Sequence, residues 1–173
     1  MANPTMTLIA SVTVGSGGAS SIDFTSIPAT YADLCVKISY RSSGSTTTAV
    51  LTSIYNNDGG NNYKNLFLYG TGSGAGSGNY NPNNSNYFGY GNIATYTTNT
   101  FTNTEIYIPN YAGSNQKSTS GDNVAENNAT ASQLTFSANL WTGTTAINRI
   151  TFGIYLDNFA QYSTAYLYGI KNS

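Results

Sequence analysis

The strongest constraint in this sequence is a two-residue alternation of apolar and polar side chains that recurs along the whole chain. In residues 33–41 every second side chain is apolar, namely Leu34, Val36, Ile38 and Tyr40. The clearest predicted core face follows in Ile150, Phe152, Ile154 and Leu156. Because successive side chains of a strand point to opposite faces, this pattern predicts half-buried β-strands. We find no segment with the 3.6-residue period of an amphipathic helix.

Turn signals separate these alternating segments. Gly-rich residues 15–18 and Asn/Gly-rich residues 56–62 tolerate the backbone angles of tight turns, and Pro28 and Pro109 end strands because proline cannot donate to a ladder. Two stretches are predicted as long loops: the Gly/Asn-rich loop 70–86, and 110–131, interrupted at most by a short strand near Lys117. The sequence therefore predicts an all-β chain of eight or nine strands. We expect residues 1–173 to form one antiparallel β-sandwich domain of the jelly-roll type.

The unusual composition excludes several classes of function. Charged residues make up 8% of the chain, the net charge is −1, and the chain has no His and a single Cys. Six scattered Lys and Arg cannot form a nucleic-acid footprint, and one Cys without His offers neither a disulfide nor a zinc site. No apolar run has the length of a membrane span, and Met1–Leu8 lacks the layout of a secretory signal. We expect no nucleic-acid partner, no membrane partner, no metal and no cofactor.

Catalytic chemistry is also poorly supported. The lack of His removes Ser–His and Cys–His pairs, and Cys35 lies in mid-strand, where an inert buried thiol is expected. The seven Asp and Glu residues show no spacing that selects a glycosidase pair. Asp58 and the loop acids Asp122 and Glu126 could in principle bind calcium, but polar turns are the simpler interpretation. The Gly-rich stretch 70–78 lacks the G-x-G-x-x-G spacing. We expect no catalytic residues and no enzyme activity.

One aromatic segment is a candidate binding surface. It consists of Tyr80, Tyr87, Phe88, Tyr90 and Tyr96. Tyr combined with Ser, Gly and Asn is typical of recognition surfaces, and Tyr faces can stack on sugar rings. The target could be a neighbouring subunit or a glycan. The alternative is that about half of these rings pack within the sheet, as Tyr commonly does in strands.

The N-terminal residues are a candidate docking arm. Residues 1–5 precede the first predicted strand and contain little apolar surface with which to anchor themselves. We expect Ala2, Asn3, Pro4 and Thr5 to reach a neighbouring molecule.

Several motifs resemble those of small virion proteins of tailed bacteriophages. The opening residues 6–34 contain a short strand, a Gly/Ser turn, Phe-Thr-Ser-Ile-Pro and then Tyr-Ala-Asp-Leu. Tyr-Ile-Pro-Asn-Tyr at 107–111, Ala-Asn-Leu-Trp at 138–141, Ala-Ile-Asn-Arg-Ile at 146–150 and Leu-Tyr-Gly-Ile at 167–170 fit the same pattern. The resemblance spans nearly the whole chain. It implies a jelly-roll-like particle component, assigned to capsid decoration or to fibres and tails, without catalytic residues.

The residues and the resemblance together suggest a structural role in a virion. We expect a capsid decoration (cement) protein that binds the major capsid protein as a homo-oligomer, with a homotrimer matching the local threefold positions of capsid lattices. The alternative is a fibre or tail-tip module that binds a host-surface glycan through the region 80–96. A polysaccharide-degrading tail component is the least favoured hypothesis, because paired acids are scarce.

Overall fold

The computed structural model describes residues 5–45, 49–80, 83–126 and 132–171. Within these ranges the chain forms twelve β-strands and no helix, which confirms the all-β prediction. The strands are β1 (Met6–Thr13), β2 (Ser21–Phe24), β3 (Asp33–Tyr40), β4 (Ala49–Tyr55), β5 (Tyr63–Gly70), β6 (Ala75–Gly78), β7 (Asn86–Gly91), β8 (Thr102–Ile108), β9 (Lys117–Glu126), β10 (Ser132–Trp141), β11 (Ile150–Ile154) and β12 (Thr164–Ile170).

These strands form two sheets with a jelly-roll arrangement at their centre. The large sheet has the order β1-β12-β3-β8-β9-β10-β5-β6, and the small sheet has the order β2-β11-β4-β7. When β5, β6, β9 and β10 are set aside, the remaining eight strands, renumbered, have the orders 1-8-3-6 and 2-7-4-5. This is the two-sheet winding of an eight-stranded jelly roll. The predicted sandwich is therefore confirmed.

The four additional strands form a continuous extension of the large sheet. β5 and β6 are inserted between β4 and β7, and β9 and β10 are inserted between β8 and β11. β9 pairs with β8, and the sheet continues through β10, β5 and β6 in antiparallel register. We call these four strands the extension. They raise the number of strands above the predicted eight or nine.

The extension corrects both predicted long loops. The stretch 70–86 contains β6, and 110–131 contains the ten-residue strand β9. The inward-facing residues of β9 are largely polar, including Lys117, Thr119 and Asn123. A strand without an apolar face leaves no hydrophobic alternation in the sequence, which is why composition alone indicated a loop.

The hydrophobic core lies between the jelly-roll strands of the two sheets. The predicted face of β3 is confirmed, since Leu34, Val36, Ile38 and Tyr40 are all buried. Phe152 of β11 contacts Phe24 edge-on, with ring centroids 6.4 Å apart. Ring pairs of this kind add to the free energy gained by burying their apolar surface.

The predicted core face of β11 is wrong at its last residue. Ile150, Phe152 and Ile154 are buried, but Leu156 is 83% exposed. The strand ends at Ile154, and Leu156 has a φ of 59° in the turn that follows. The change of backbone direction takes this side chain away from the sheet.

The prediction of a buried Cys35 thiol is confirmed. Cys35 lies on the outer face of β3, where its register partners are Tyr107 and Tyr168. Burial raises the pKa of the thiol to about 11. A thiol that stays protonated at neutral pH is a poor nucleophile.

Candidate interaction surfaces

β10 alternates apolar and polar residues in the opposite sense to the core strands, so that its polar side chains point into the protein. Its apolar residues Leu134 and Phe136 face outward, and the Phe136 side chain is 56% exposed. Its polar residues face inward and are buried: Thr135, Ser137 and Asn139. The hydrophobic side of this strand is therefore presented to the surroundings of the chain.

The neighbouring strands continue the same exposed surface. In β5, Leu66 is 65% exposed and Leu68 is 59% exposed. The register places Leu68 beside Phe136, Leu66 beside Ala138 and Val124 beside Leu134. We call this set the outer apolar face: Leu66, Leu68, Val124, Leu134, Phe136 and Ala138.

The outer apolar face is concave. Leu66, Leu68, Phe136 and Ala138 line an open depression of about 660 Å³ next to β6. Contiguous apolar patches on a protein surface commonly mark sites of interaction with another molecule. Every residue of the face belongs to the extension, so the jelly-roll strands do not contribute to it.

The inner face of the extension is largely polar at the centre of β9 and β10, where it covers the backbone of an edge strand. β7 ends the small sheet, and its unpaired edge lies against β9 and β10. The Tyr87 N–H donates to Asn139 Oδ1 at 3.0 Å, and Asn65 Nδ2 donates to the Ser85 carbonyl at 3.1 Å. These side chains satisfy backbone groups that would otherwise be buried without partners.

The approach of β7 to the extension is close at Gly89. This residue has a φ of 105°, in the region that favours glycine. A Cβ at this position would lie 2.8 Å from the Thr135 Cβ. The close packing of β7 on the extension therefore requires a glycine at position 89, opposite the short polar side chain of Thr135.

Four buried polar atoms of this layer have no hydrogen-bond partner among the described residues. They are Asn65 Oδ1, Asn86 Oδ1, Asn123 Oδ1 and Thr135 Oγ1. A buried polar atom without a partner raises the free energy of the folded state by about 1–3 kcal/mol. We therefore expect a buried residue of the extension to contribute less, on average, to the free energy of unfolding than a buried residue of the jelly-roll core.

The strand at the end of the extension is covered by aromatic rings. A Cβ at Gly78 would lie 2.8 Å from the Phe67 ring, and a Cβ at Gly76 would lie 2.8 Å from the Tyr69 hydroxyl. The two glycines thus leave room for aromatic side chains of β5 to lie over β6, an arrangement that supports a glycine-rich edge.

The five aromatic residues singled out from the sequence lie in different environments. Phe88 is in the jelly-roll core, with its ring 6.4 Å from that of Phe152, so it is not accessible. Tyr96 is half-buried against the core at another location, where its carbonyl accepts from the Arg41 guanidinium. Only Tyr80, Tyr87 and Tyr90 come together.

These three tyrosines form a small aromatic cluster. Tyr80 stacks on the buried Tyr87 with ring centroids 4.9 Å apart, and Tyr90 contacts Tyr87 edge-on at 6.2 Å. Phe67 lies on Tyr87 at 4.7 Å, a contact that sequence analysis missed because the two residues are 20 positions apart. Burial raises the pKa of Tyr80 and of Tyr87, so both hydroxyls stay protonated at neutral pH.

The predicted docking arm lies mostly outside the described residues. Ala2, Asn3 and Pro4 are not described. The Thr5 carbonyl accepts a hydrogen bond from the Lys171 N–H at 2.9 Å, which extends the pairing of β1 with β12. The backbone of Thr5 is therefore held next to the end of β12.

The acidic side chains of Asp58 and Asp23 form contacts that stabilise the structure around them. The Asp58 carboxylate accepts from Trp141 Nε1 at 2.7 Å and from the Gly60 N–H at 3.0 Å, and it stabilises the turn before β5. The Trp141 hydrogen bond lowers the pKa of Asp58. Asp23 forms an ion pair with Arg149 at 2.5 Å. Among the described residues no three or more His, Cys, Asp or Glu lie close enough together to hold a metal ion.

One pair of acids is adjacent on the outer surface. Glu105 of β8 and Asp122 of β9 are direct register partners, and Glu105 also pairs with Lys37 at 2.5 Å. The Lys37 and Glu105 side chains are each about half exposed to solvent, and Asp122 is exposed. Glu105 and Asp122 line an open depression of about 370 Å³, together with Tyr107 and Phe136.

The comparisons with known proteins gave no match. No family model matches the chain, and no curated protein or solved structure is significantly similar to it. Within the described residues no helix is long and apolar enough to cross a membrane.

Proposed function

We propose that this chain is a structural component of a tailed-bacteriophage virion, and specifically a capsid decoration (cement) protein. In this role it would bind the major capsid protein as a homo-oligomer and stabilise the shell. The observation that carries the proposal is the outer apolar face, which a jelly-roll extension presents for contact with other protein. The resemblance of the sequence to small virion proteins is the reason for proposing that the other protein belongs to a bacteriophage particle.

The chemistry of the surface supports this role. A chain with six cations and seven anions attracts a partner mainly through apolar contact and shape, with little contribution from net charge. Docking of several linked copies on a repeating lattice would add avidity to weak single contacts. A homotrimer would suit the threefold positions of such a lattice.

Copy number in purified virions tests the proposal. Quantitative mass spectrometry of particles that contain this chain should find hundreds of copies, bound to the major capsid protein. Particles lacking the chain should release DNA at a lower temperature. A few copies per particle, or unchanged capsid stability, would contradict the decoration role.

A fibre or tail-tip module that binds a host glycan is the second candidate, favoured by the cluster of Tyr80, Tyr87 and Tyr90. Tyr90 is partly exposed and could stack on a sugar ring. A glycan array probed with the purified chain tests this role. Tyr90→Ala should abolish binding, whereas Tyr162→Ala, an exposed tyrosine elsewhere, should leave it unchanged. Turnover of a polysaccharide would instead favour an enzyme.

A further inference from the structure

We propose that the outer apolar face packs against the same face of a second copy of this chain, with Lys64 of each copy paired with Asp122 of the other. The contact is two-fold and therefore gives a dimer, in place of the homotrimer considered above. It rests on the proposed function only for its biological setting.

The two charged residues lie at opposite corners of the outer apolar face. Asp122 is beside Phe136, which pairs with Leu68 on its other side. Lys64 precedes Leu68 by four residues in β5 and pairs with Leu140. The strand spacing and rise therefore separate Lys64 from Asp122 by about 10 Å across the sheet and about 13 Å along it.

This placement is self-complementary. The midpoint between Lys64 and Asp122 falls at Ala138, which pairs with Leu66 and Ser120. A two-fold axis in the contact plane over Ala138 exchanges the two corners, so each Lys64 meets the Asp122 of the other copy. The same rotation carries Phe136 of one copy over Leu66 of the other. An interface of this kind is isologous, with the same patch used by both subunits.

The charges of the outer surface favour such a partner. The ion pairs formed within the described residues are Lys37–Glu105 and Arg149–Asp23, so Lys64 and Asp122 have no ion-pair partner there. Asp122 also lies directly opposite Glu105, and like charges in register are destabilising. A cation from outside the chain would relieve this repulsion.

The shape and composition of the face also fit a second copy. Ala138 at the centre is small enough to let two sheets approach closely, and the depression beside it offers space for an aromatic ring. Lys64 and Asp122 place opposite charges at two corners of the face, so a strongly acidic or strongly basic partner would meet repulsion at one of these corners. A second copy offers opposite charge at both corners.

Self-association of the purified full chain tests the apolar part of the inference. Sedimentation velocity over a range of concentrations should show reversible association of the wild type. Leu68→Ser combined with Phe136→Ser should weaken it about tenfold or more, because both side chains would lose buried apolar contact. Leu8→Ser is the matched control, since Leu8 is exposed on β1 at the opposite edge of the same sheet. Unchanged far-UV circular dichroism would show that each variant is folded.

A charge exchange tests the orientation. Lys64→Glu and Asp122→Lys should each weaken association about fivefold, and the double variant should return to within about twofold of the wild type. A double variant that associates as weakly as the single ones would overturn the proposed pairing. A wild type that stays monomeric at all concentrations would overturn the whole inference.

The two proposals fail in distinguishable ways. Self-association is measured without virions, whereas the decoration role is measured by copy number in particles. High copy number with a monomeric free chain would retain the decoration role and reject the contact between copies. Self-association with no virion incorporation would retain the contact and reject the decoration role.

Discussion

The jelly-roll strands of the large sheet and the extension form one continuous sheet. Strands such as β3 bury their apolar side chains, whereas β10 buries its polar ones. In β3 the apolar side chains point inward, and Ile38 is fully buried. In β10 the polar side chains point inward, and Phe136 is exposed. The comparison shows that a two-residue period identifies a strand without identifying which face is inside.

The difference follows from what lies opposite each part of the sheet. The jelly-roll strands of the large sheet meet side chains of the small sheet, such as Phe24 and Phe152, so apolar residues gain free energy by facing inward. The extension meets the backbone edge of β7, where Asn139 accepts a hydrogen bond from the Tyr87 N–H. Polar residues are needed there, and the apolar residues are left on the outside.

Replacing one phenylalanine by alanine in each region should give the largest difference in the free energy of unfolding. Phe152→Ala removes a ring from the jelly-roll core and should lower the free energy of unfolding by about 3–5 kcal/mol. Phe136→Ala removes an exposed ring and should change the stability of the monomer by less than about 0.5 kcal/mol. Urea denaturation measures both values.

The measurement should be made at protein concentrations at which sedimentation velocity shows only monomer, so that self-association does not contribute to the stability of the Phe136 variant. A loss of several kcal/mol under these conditions would mean that Phe136 packs within the chain. It would then remove the distinction between the two regions.

Gly89 should be the most sensitive position where the two regions meet. Gly89→Ala combines a φ of 105° with a Cβ 2.8 Å from the Thr135 Cβ, so it should lower the free energy of unfolding by about 2 kcal/mol or more. Gly15→Ala is the control, because a Cβ at Gly15 would have no atom within 4 Å. Equal stabilities of the two variants in thermal denaturation would show that β7 does not pack closely on the extension.

Substitutions in the polar interior of the extension should lower the free energy of unfolding at one position and leave it unchanged or raise it at another. Asn139→Ala leaves the buried Tyr87 N–H without its acceptor and should lower the free energy of unfolding by about 1–3 kcal/mol. Thr135→Val replaces a hydroxyl that has no partner among the described residues, so it should leave stability unchanged or raise it by up to about 1 kcal/mol. Chemical denaturation distinguishes these outcomes, and a destabilised Thr135→Val variant would reveal a partner for the hydroxyl.

The strands that can be predicted from the sequence with their buried face are those whose local pattern agrees with their tertiary environment. The alternation of β3 and most of β11 indicated both the strand and its buried face, because these strands pack against apolar side chains. β6 was missed, and β9 was predicted at most as a short strand near Lys117, because Thr, Ser, Asn and Gly in a strand resemble a polar loop when no apolar face is present.

The interaction surfaces were harder to predict than the strands. The outer apolar face joins β5, β9 and β10, and it exists because of their register. The aromatic segment brought together Tyr80, Tyr87 and Tyr90, but Phe88 enters the core and Tyr96 lies elsewhere. Strand pairing over long sequence separations decides such neighbours, and one sequence does not reveal it.

The smallest expected effect concerns a contact that joins the two regions. Trp141, the only Trp of the chain, ends β10 and packs edge-on against Tyr55 of β4, with ring centroids 5.7 Å apart. Its indole N–H donates to the Asp58 carboxylate, and this hydrogen bond lowers the pKa of Asp58 below its ordinary value of 3.8. The charged form of Asp58 is therefore favoured in the folded protein.

A lowered pKa fixes the sign of the pH dependence. The stabilisation is fully present above the unfolded pKa of about 3.8 and is lost as the pH falls through the lower folded pKa. Asp58→Asn should be less stable than the wild type at pH 7 by about 1 kcal/mol or less, and the difference should shrink below pH 3.8. Denaturation followed by Trp141 fluorescence measures this difference directly. A difference that stays constant with pH would show that the Asp58 charge does not stabilise the contact, and that packing of Trp141 on Tyr55 joins the extension to the jelly roll.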